Sequence, residues 1–124
     1  MVNNVVVDDT DTQYIAYSGA SDWTLLTGSS RQWESTVHST KTYGAEAAFQ
    51  FLGLCDYPCW SGFIIYDTIP AGSGTVFVDI TIDGGSPTRV TRTSGSDNVY
   101  NDVLYQSPLL ATDSSHTVIM TNRG

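Results

Sequence analysis

The sequence predicts an all-β fold, an antiparallel β-sandwich of the jelly-roll kind, and three observations support it. Clusters of Gly, Pro, Asp, Asn and Ser interrupt the chain about every ten residues, with short β-prone runs between them, the spacing of sandwiches and barrels. The run Thr75–Ile82 alternates strictly: Val76, Val78, Ile80 and Ile82 share one side, and Phe77, Asp79 and Thr81 the other. Strict alternation means that one face packs on a core while the other meets water or a neighbour. Composition agrees, because only 15% of residues are charged while 40% are hydrophobic and 11% aromatic. Ser, Thr and Gly supply much of the remaining polarity, and a helical bundle would want more Glu, Lys, Ala and Leu.

In chain order the expected strands are Asn4–Asp8, Gln13–Tyr17, Trp23–Thr27, Glu46–Leu52, Phe63–Tyr66, Thr75–Ile82, Pro87–Thr93, Asn98–Gln106 and Ser115–Asn122. Asp83-Gly84-Gly85-Ser86 supplies the positive φ angles of a tight reversal, so Thr75–Ile82 and Thr88–Thr93 form a hairpin. Ala47, Phe49 and Phe51 make a second alternating set. The one candidate for a helical turn, Gly44–Ala48, runs on into β-prone aromatics and reads better as strand. A chain of 124 residues without a linker or internal repeat suits a single domain over residues 1–124.

Charge narrows the partners. Five basic residues against thirteen acidic ones leave a net charge of −8. A nucleic-acid binder needs a basic stripe to displace counterions, and none is present. Anionic membrane surfaces are disfavoured in the same way. A neutral glycan or a basic protein surface fits. No apolar run approaches the roughly 20 residues of a membrane span. The start, Met1-Val-Asn-Asn, has no signal-peptide pattern, which fits a cytosolic protein or an excised domain; because the composition looks secreted, an excised extracellular or cell-surface domain is expected, with a cytosolic protein as the alternative.

Cys55 and Cys59 bracket Asp56-Tyr57-Pro58. A structural zinc site wants four ligands, and His38 and His116 lie too far along the chain to complete one convincingly. A local disulfide between Cys55 and Cys59 is expected, with free thiols as the alternative. Its effect would be to stiffen a loop carrying Tyr57 and Trp60.

Several segments together resemble a known family. Val7-Asp8-Asp9-Thr10-Asp11 is followed by Ile15-Ala16-Tyr17-Ser18-Gly19 and Trp23, then Thr36-Val37-His38-Ser39-Thr40 and Gly44-Ala45-Glu46-Ala47-Ala48-Phe49-Gln50-Phe51-Leu52-Gly53. Ile82-Asp83-Gly84-Gly85 and His116-Thr117-Val118-Ile119-Met120-Thr121-Asn122 complete the series. In this order they are similar to the galactose-binding-domain-like jelly rolls of mushroom-forming fungi, found in secreted or single-span surface proteins. The resemblance covers nearly the whole chain, though each motif is short and mostly structural. It implies a jelly-roll sandwich and sugar recognition. Cys55–Trp60 departs from the pattern and reads as this chain's own insertion.

A sugar ring has apolar C–H faces and a rim of hydroxyls, so its site wants an exposed aromatic platform beside planar hydrogen-bonding groups. Trp33, between Arg31, Gln32 and Glu34, and Trp60, beside Tyr57, have the polar surroundings of such platforms. Arg31 offers a planar fork for adjacent hydroxyls. His38 could donate to a hydroxyl or cap a loop. Trp23 reads as core, and His116 as a stabiliser of the turn before the last strand. Asp8, Asp9 and Asp11 could hold calcium, a cation common in the wider superfamily, or simply cap turns.

Three functions stay open: a lectin-like glycan-binding module, a structural or protein-contacting ectodomain, and a small glycoside hydrolase. The last is disfavoured, since no nucleophile elbow, metal-binding helix or phosphate loop is present. A homodimer would suit a lectin through multivalency.

Overall fold

The structure is a computed structural model and describes residues 5–53 and 61–124. Among these, nine strands run in order: β1 (Ile15–Tyr17), β2 (Thr24–Thr27), β3 (Thr36–Ser39), β4 (Glu46–Leu52), β5 (Ile64–Ile69), β6 (Thr75–Ile82), β7 (Thr88–Thr93), β8 (Val99–Gln106) and β9 (Ser115–Asn122). The sole helical element is a 3-10 turn at Trp33–Ser35. Every strand pairing is antiparallel. A five-stranded sheet in the order β1-β4-β9-β6-β7 forms one layer, and the pairs β2-β3 and β5-β8 form the other. The predicted all-β sandwich is the fold observed.

The bounds of β4, β6 and β9 are those expected from the sequence. Two expectations fail. Residues 5–8 form no strand, because the Asp8 side chain bonds the amide and hydroxyl of Thr10 and turns the chain instead. The short strand β3, paired with β2 from Thr24↔Ser39 to Thr27↔Thr36, had no sufficient hydrophobic run to announce it.

The reversal after β6 is a type I′ turn, with Asp83 at φ 52° and Gly84 at φ 70°, closed by the Gly85 amide on the Ile82 carbonyl at 2.9 Å. Asp83 then reaches outward. Its Oδ1 accepts the Thr117 amide at 2.8 Å and its Oδ2 takes His116 Nδ1 at 2.7 Å. The buried His116 ring also meets the Ala111 carbonyl through Nε2 at 2.6 Å. With an acceptor on each nitrogen the imidazolium is favoured: the Ala111 carbonyl first, and then Asp83, raise the His116 pKa above its ordinary value. The same contact with His116 holds Asp83 below the usual carboxylate range. One side-chain bridge thus fastens β9 to the β6–β7 turn.

Among the described residues Ile80 and Val118 are the largest side chains fully buried. Phe49 and Phe51 of β4 project from the main sheet onto Phe63, at 5.3 and 6.0 Å between ring centroids, and Phe63 in turn meets Tyr105 of β8 at 5.8 Å. These rings join the two layers. A polar tie does the same near the other end, where Arg92 of β7 forks onto Asp67 of β5 and also reaches Asp102 of β8.

Asp79 departs from the expected pattern. It lies on the face of β6 opposite Ile80, yet is only 6% exposed. Arg89 covers it bidentately at 2.8 and 3.0 Å, and Arg123 adds a third bond at 3.0 Å. The Arg89 hydrogen bonds are the chief reason its carboxyl sits below the ordinary range.

Candidate functional site

Where the β2–β3 loop meets the ends of β5 and β8, the second layer leaves a cleft of about 210 Å³ between its two strand pairs. Leu26 and Val37 form an apolar wall, and Gln32, Thr68, Asn98 and Tyr100 supply the polar groups. No charged side chain is among those lining it. In a chain of net charge −8, that disfavours anionic ligands, and the lining offers no counterion to a charged one.

The loop is built by local backbone geometry. Gly28 turns at φ 99°, and its amide bonds the Ser35 carbonyl at 3.1 Å, closing the loop. Glu34 and Ser35 adopt φ of 47° and 61°, a left-handed conformation that costs a non-glycine residue energy and that surrounding structure must hold. Two long-range bonds hold it. Gln32 Nε2 donates to Thr68 Oγ1 at 3.2 Å, and Asn101 Nδ2 donates to the Arg31 carbonyl at 2.7 Å. The loop is thereby seated on β5 and β8. Its tip carries Trp33 outward, 59% exposed.

Tyr100 is the centre of the polar wall. Asn98 Nδ2 donates to its hydroxyl at 3.3 Å, while Asn98 Oδ1 is fixed by the Ala71 amide at 2.8 Å. The Arg31 guanidinium stands 5.8 Å from the ring centroid, within cation–π reach. The Tyr100 hydroxyl keeps its proton free to donate, and the carbonyl oxygen of the Gln32 side chain is free to accept. An aromatic ring, two amides and hydroxyls converging on a small uncharged hollow match the needs of one sugar ring.

Comparison with known proteins adds the fold and no more. No family model matches the sequence, and no curated protein matches it. Among solved structures, the chain is similar to the GH26-CBM35 β-(1,4)-mannanase of Podospora anserina, with a TM-score of 0.54 and 14% identity. The match covers 89% of this chain and 24% of that one, so the chain spans about a quarter of its neighbour's length.

The structure brings Arg31 and Trp33 to this end of the molecule and sends His38 elsewhere. Val37 faces the cleft, so its neighbour His38 points to the other side of β3. There the imidazole stacks on Tyr17 at 4.1 Å and 10°, with Nδ1 on Asp9 at 2.6 Å. Tyr17 donates to the Asp9 carbonyl at 2.7 Å. Burial, and then the charges of Asp9 and Asp8, push the Tyr17 phenol far up, so it stays a donor. Trp23 packs beside Tyr17 at 5.0 Å, half-buried.

Asp8 and Asp9 are engaged locally. Asp9 accepts Thr36 at 2.6 Å as well as His38. Burial alone would raise the Asp8 pKa, but hydrogen bonds from Thr10 and Thr36 hold it below the ordinary value. Among the described residues no group of three or more His, Cys, Asp or Glu side chains comes together as metal ligands. Tyr57, Trp60, Cys55 and Cys59 lie outside the described residues.

Sequence reasoning missed Gln32, Thr68, Asn98 and Tyr100. Nothing local singles them out, because each becomes part of a site only when a loop near residue 30 docks on strands near 68 and 100.

Proposed function

We propose that this chain is a carbohydrate-binding module that takes a neutral sugar in the cleft beside Tyr100, with Arg31 and Trp33 at its margin. The observation that carries the proposal is an uncharged hollow, lined by amides, hydroxyls and one aromatic ring, on a strongly acidic chain. The structural neighbour is a mannanase that carries a CBM35 part, and we take the likeness to be to that CBM35 part. β-(1,4)-linked mannooligosaccharides are therefore the first ligands to try. Binding rather than hydrolysis is favoured, since no carboxylate lines the cleft to act as general acid or nucleophile. An extracellular setting, and kinship with the galactose-binding-domain-like modules of mushroom-forming fungi, rest on the sequence resemblance.

A glycan array of neutral and acidic oligosaccharides tests this, with Tyr100→Ala as control and thermal unfolding of both proteins alongside. Neutral glycans should give signal, and the variant should lose it at an unchanged melting temperature. A blank array, or a signal that Tyr100→Ala leaves intact, refutes the assignment.

A second function has one observation in its favour. The outer face of β5 and β8 exposes Ile64, Tyr66 and Val103, each at 44% or more. A protein-contacting ectodomain would use such a face, and a blank array would move attention there.

A further inference from the structure

A second hollow among the described residues is not at the loops. It is a groove of about 440 Å³ at the β1 edge of the five-stranded sheet, lined by residues 12–16 and 48–50 and by Thr117. Its origin is the length of β1. That strand pairs with β4 only from Ile15↔Phe49 to Tyr17↔Ala47, while β4 continues to Leu52. The chain before β1 folds away, the amides of Tyr14 and Ile15 both bonding the Asp11 carbonyl at 3.0 Å. A step is left where a longer edge strand would lie.

The groove faces away from the core. Phe49 and Phe51 point inward to Phe63, so Ala48 and Gln50 point outward by alternation. Thr117, the partner of Gln50 in β9, likewise opposes the buried His116 and Val118. Ala16 and Ala48 are paired neighbours and give the groove a floor of methyl groups. Tyr14, 50% exposed, stands at one side. On the other, Gln50 Nε2 donates to Thr117 Oγ1 at 3.2 Å. That bond orients the amide and leaves its carbonyl oxygen and second N–H for a ligand. No charged side chain lines the groove. Glu46, the nearest acid on this face of β4, precedes Ala48 by two residues and is not part of the lining.

We infer that this groove is a second glycan site, separate from the loop cleft, which holds an internal stretch of a neutral polysaccharide. The inference rests on the glycan-binding function proposed above. The volume is about twice that of the loop cleft and falls within the roughly 300–1,000 Å³ of ligand sites, which the cleft does not reach. The cleft suits one ring. The groove suits a run of chain, with a ring face on Tyr14 and hydroxyls on Gln50 and Thr117. A polymer engaging both sites gains affinity through effective concentration, whereas a short sugar does not.

The test is affinity electrophoresis through gels containing galactomannan, glucomannan, arabinoxylan or mixed-linkage β-glucan. It compares the native chain, a Tyr14→Ala/Gln50→Ala variant and Tyr100→Ala. Both altered residues of the groove variant are solvent-exposed, and melting temperatures verify that each variant folds. The groove variant should bind the retarding polymer about tenfold more weakly while keeping the native response to di- and trisaccharides. In the native chain, hexasaccharides should move the amide signals of Ala48, Gln50 and Thr117. Retardation of the groove variant equal to the native chain on every polymer overturns the inference. If Tyr100→Ala then abolishes binding, the cleft assignment survives alone. If instead Tyr100→Ala still binds polymer and the groove variant does not, the groove stands and the cleft falls. A native chain retarded by none of the polymers overturns the groove, and a blank array beside it overturns the glycan function as well.

Discussion

Replacing Arg92 by Met should loosen the joint between the two layers at the end where the cleft lies. Arg92 is the shared counterion of Asp67 and Asp102, which are direct partners across β5 and β8. Its own hydrogen bonds to Asp67, foremost, hold its pKa up. Met keeps most of the volume but leaves two carboxylates facing each other without a cation, and like charges in direct register repel. Removing one partner of a fully buried pair costs about 3–5 kcal/mol. Here the side chains are 18% (Arg92), 22% (Asp67) and 42% (Asp102) exposed, so solvent screening lowers the expectation to about 2–3 kcal/mol. At this chain length that is a fall in melting temperature of roughly 6–15 °C. Urea unfolding followed by circular dichroism measures it directly, provided the slope is unchanged. The decisive comparison is the same substitution in an Asp67→Asn/Asp102→Asn background, where it should cost under about 1 kcal/mol. Equal costs in the two backgrounds would falsify the electrostatic argument and leave packing as Arg92's role.

Two further outcomes follow from the same structure. His116 has its pKa raised in the folded chain, so its contribution is complete below the unfolded value of about 6.5 and is lost as pH rises through the folded one. Melting temperature should fall between pH 6 and 9, and His116→Gln should flatten that dependence; an identical slope in the variant counts against the bridge to Asp83 and Ala111. Gly53→Ala should destabilise by about 1–3 kcal/mol, because an added Cβ would stand 2.8 Å from the Ala111 carbonyl oxygen and 2.8 Å from Ser61 Oγ. A melting temperature equal to the native chain's would show that this backbone contact yields.

What the sequence made legible is what short-range physics controls. Thr75–Ile82 and Glu46–Leu52 could be bounded to the residue because a two-residue period with one buried face admits few alternatives. Asp83-Gly84 could be placed in a turn because few residues tolerate positive φ. The exposure of Trp33 was legible for the same reason, its neighbours Arg31, Gln32 and Glu34 being poor core material. Asp79 was not, since its burial depends on Arg89 ten residues on and Arg123 at the end of the chain. β3 and the polar wall of the cleft were hidden alike. Val37 and Tyr100 acquire their roles from partners whose distance along the chain no local pattern encodes.

The two candidate sites follow from a single property of this sandwich: its second layer and its first edge are both incomplete. A continuous second sheet would close the space between β3 and β5–β8 with backbone hydrogen bonds, and a β1 as long as β4 would cover Gln50. In the cleft a side-chain tie, Gln32 to Thr68, spans where ladder bonds stop, and beside the short β1 Gln50 bonds Thr117, its partner across β4 and β9. Such ties order amide groups while leaving other donors and acceptors unspent, which backbone ladders do not. Recognition of a hydroxyl-rich neutral ligand needs unspent, fixed polar groups beside apolar surface. Gaps in an antiparallel sandwich supply both without a charged side chain lining either hollow.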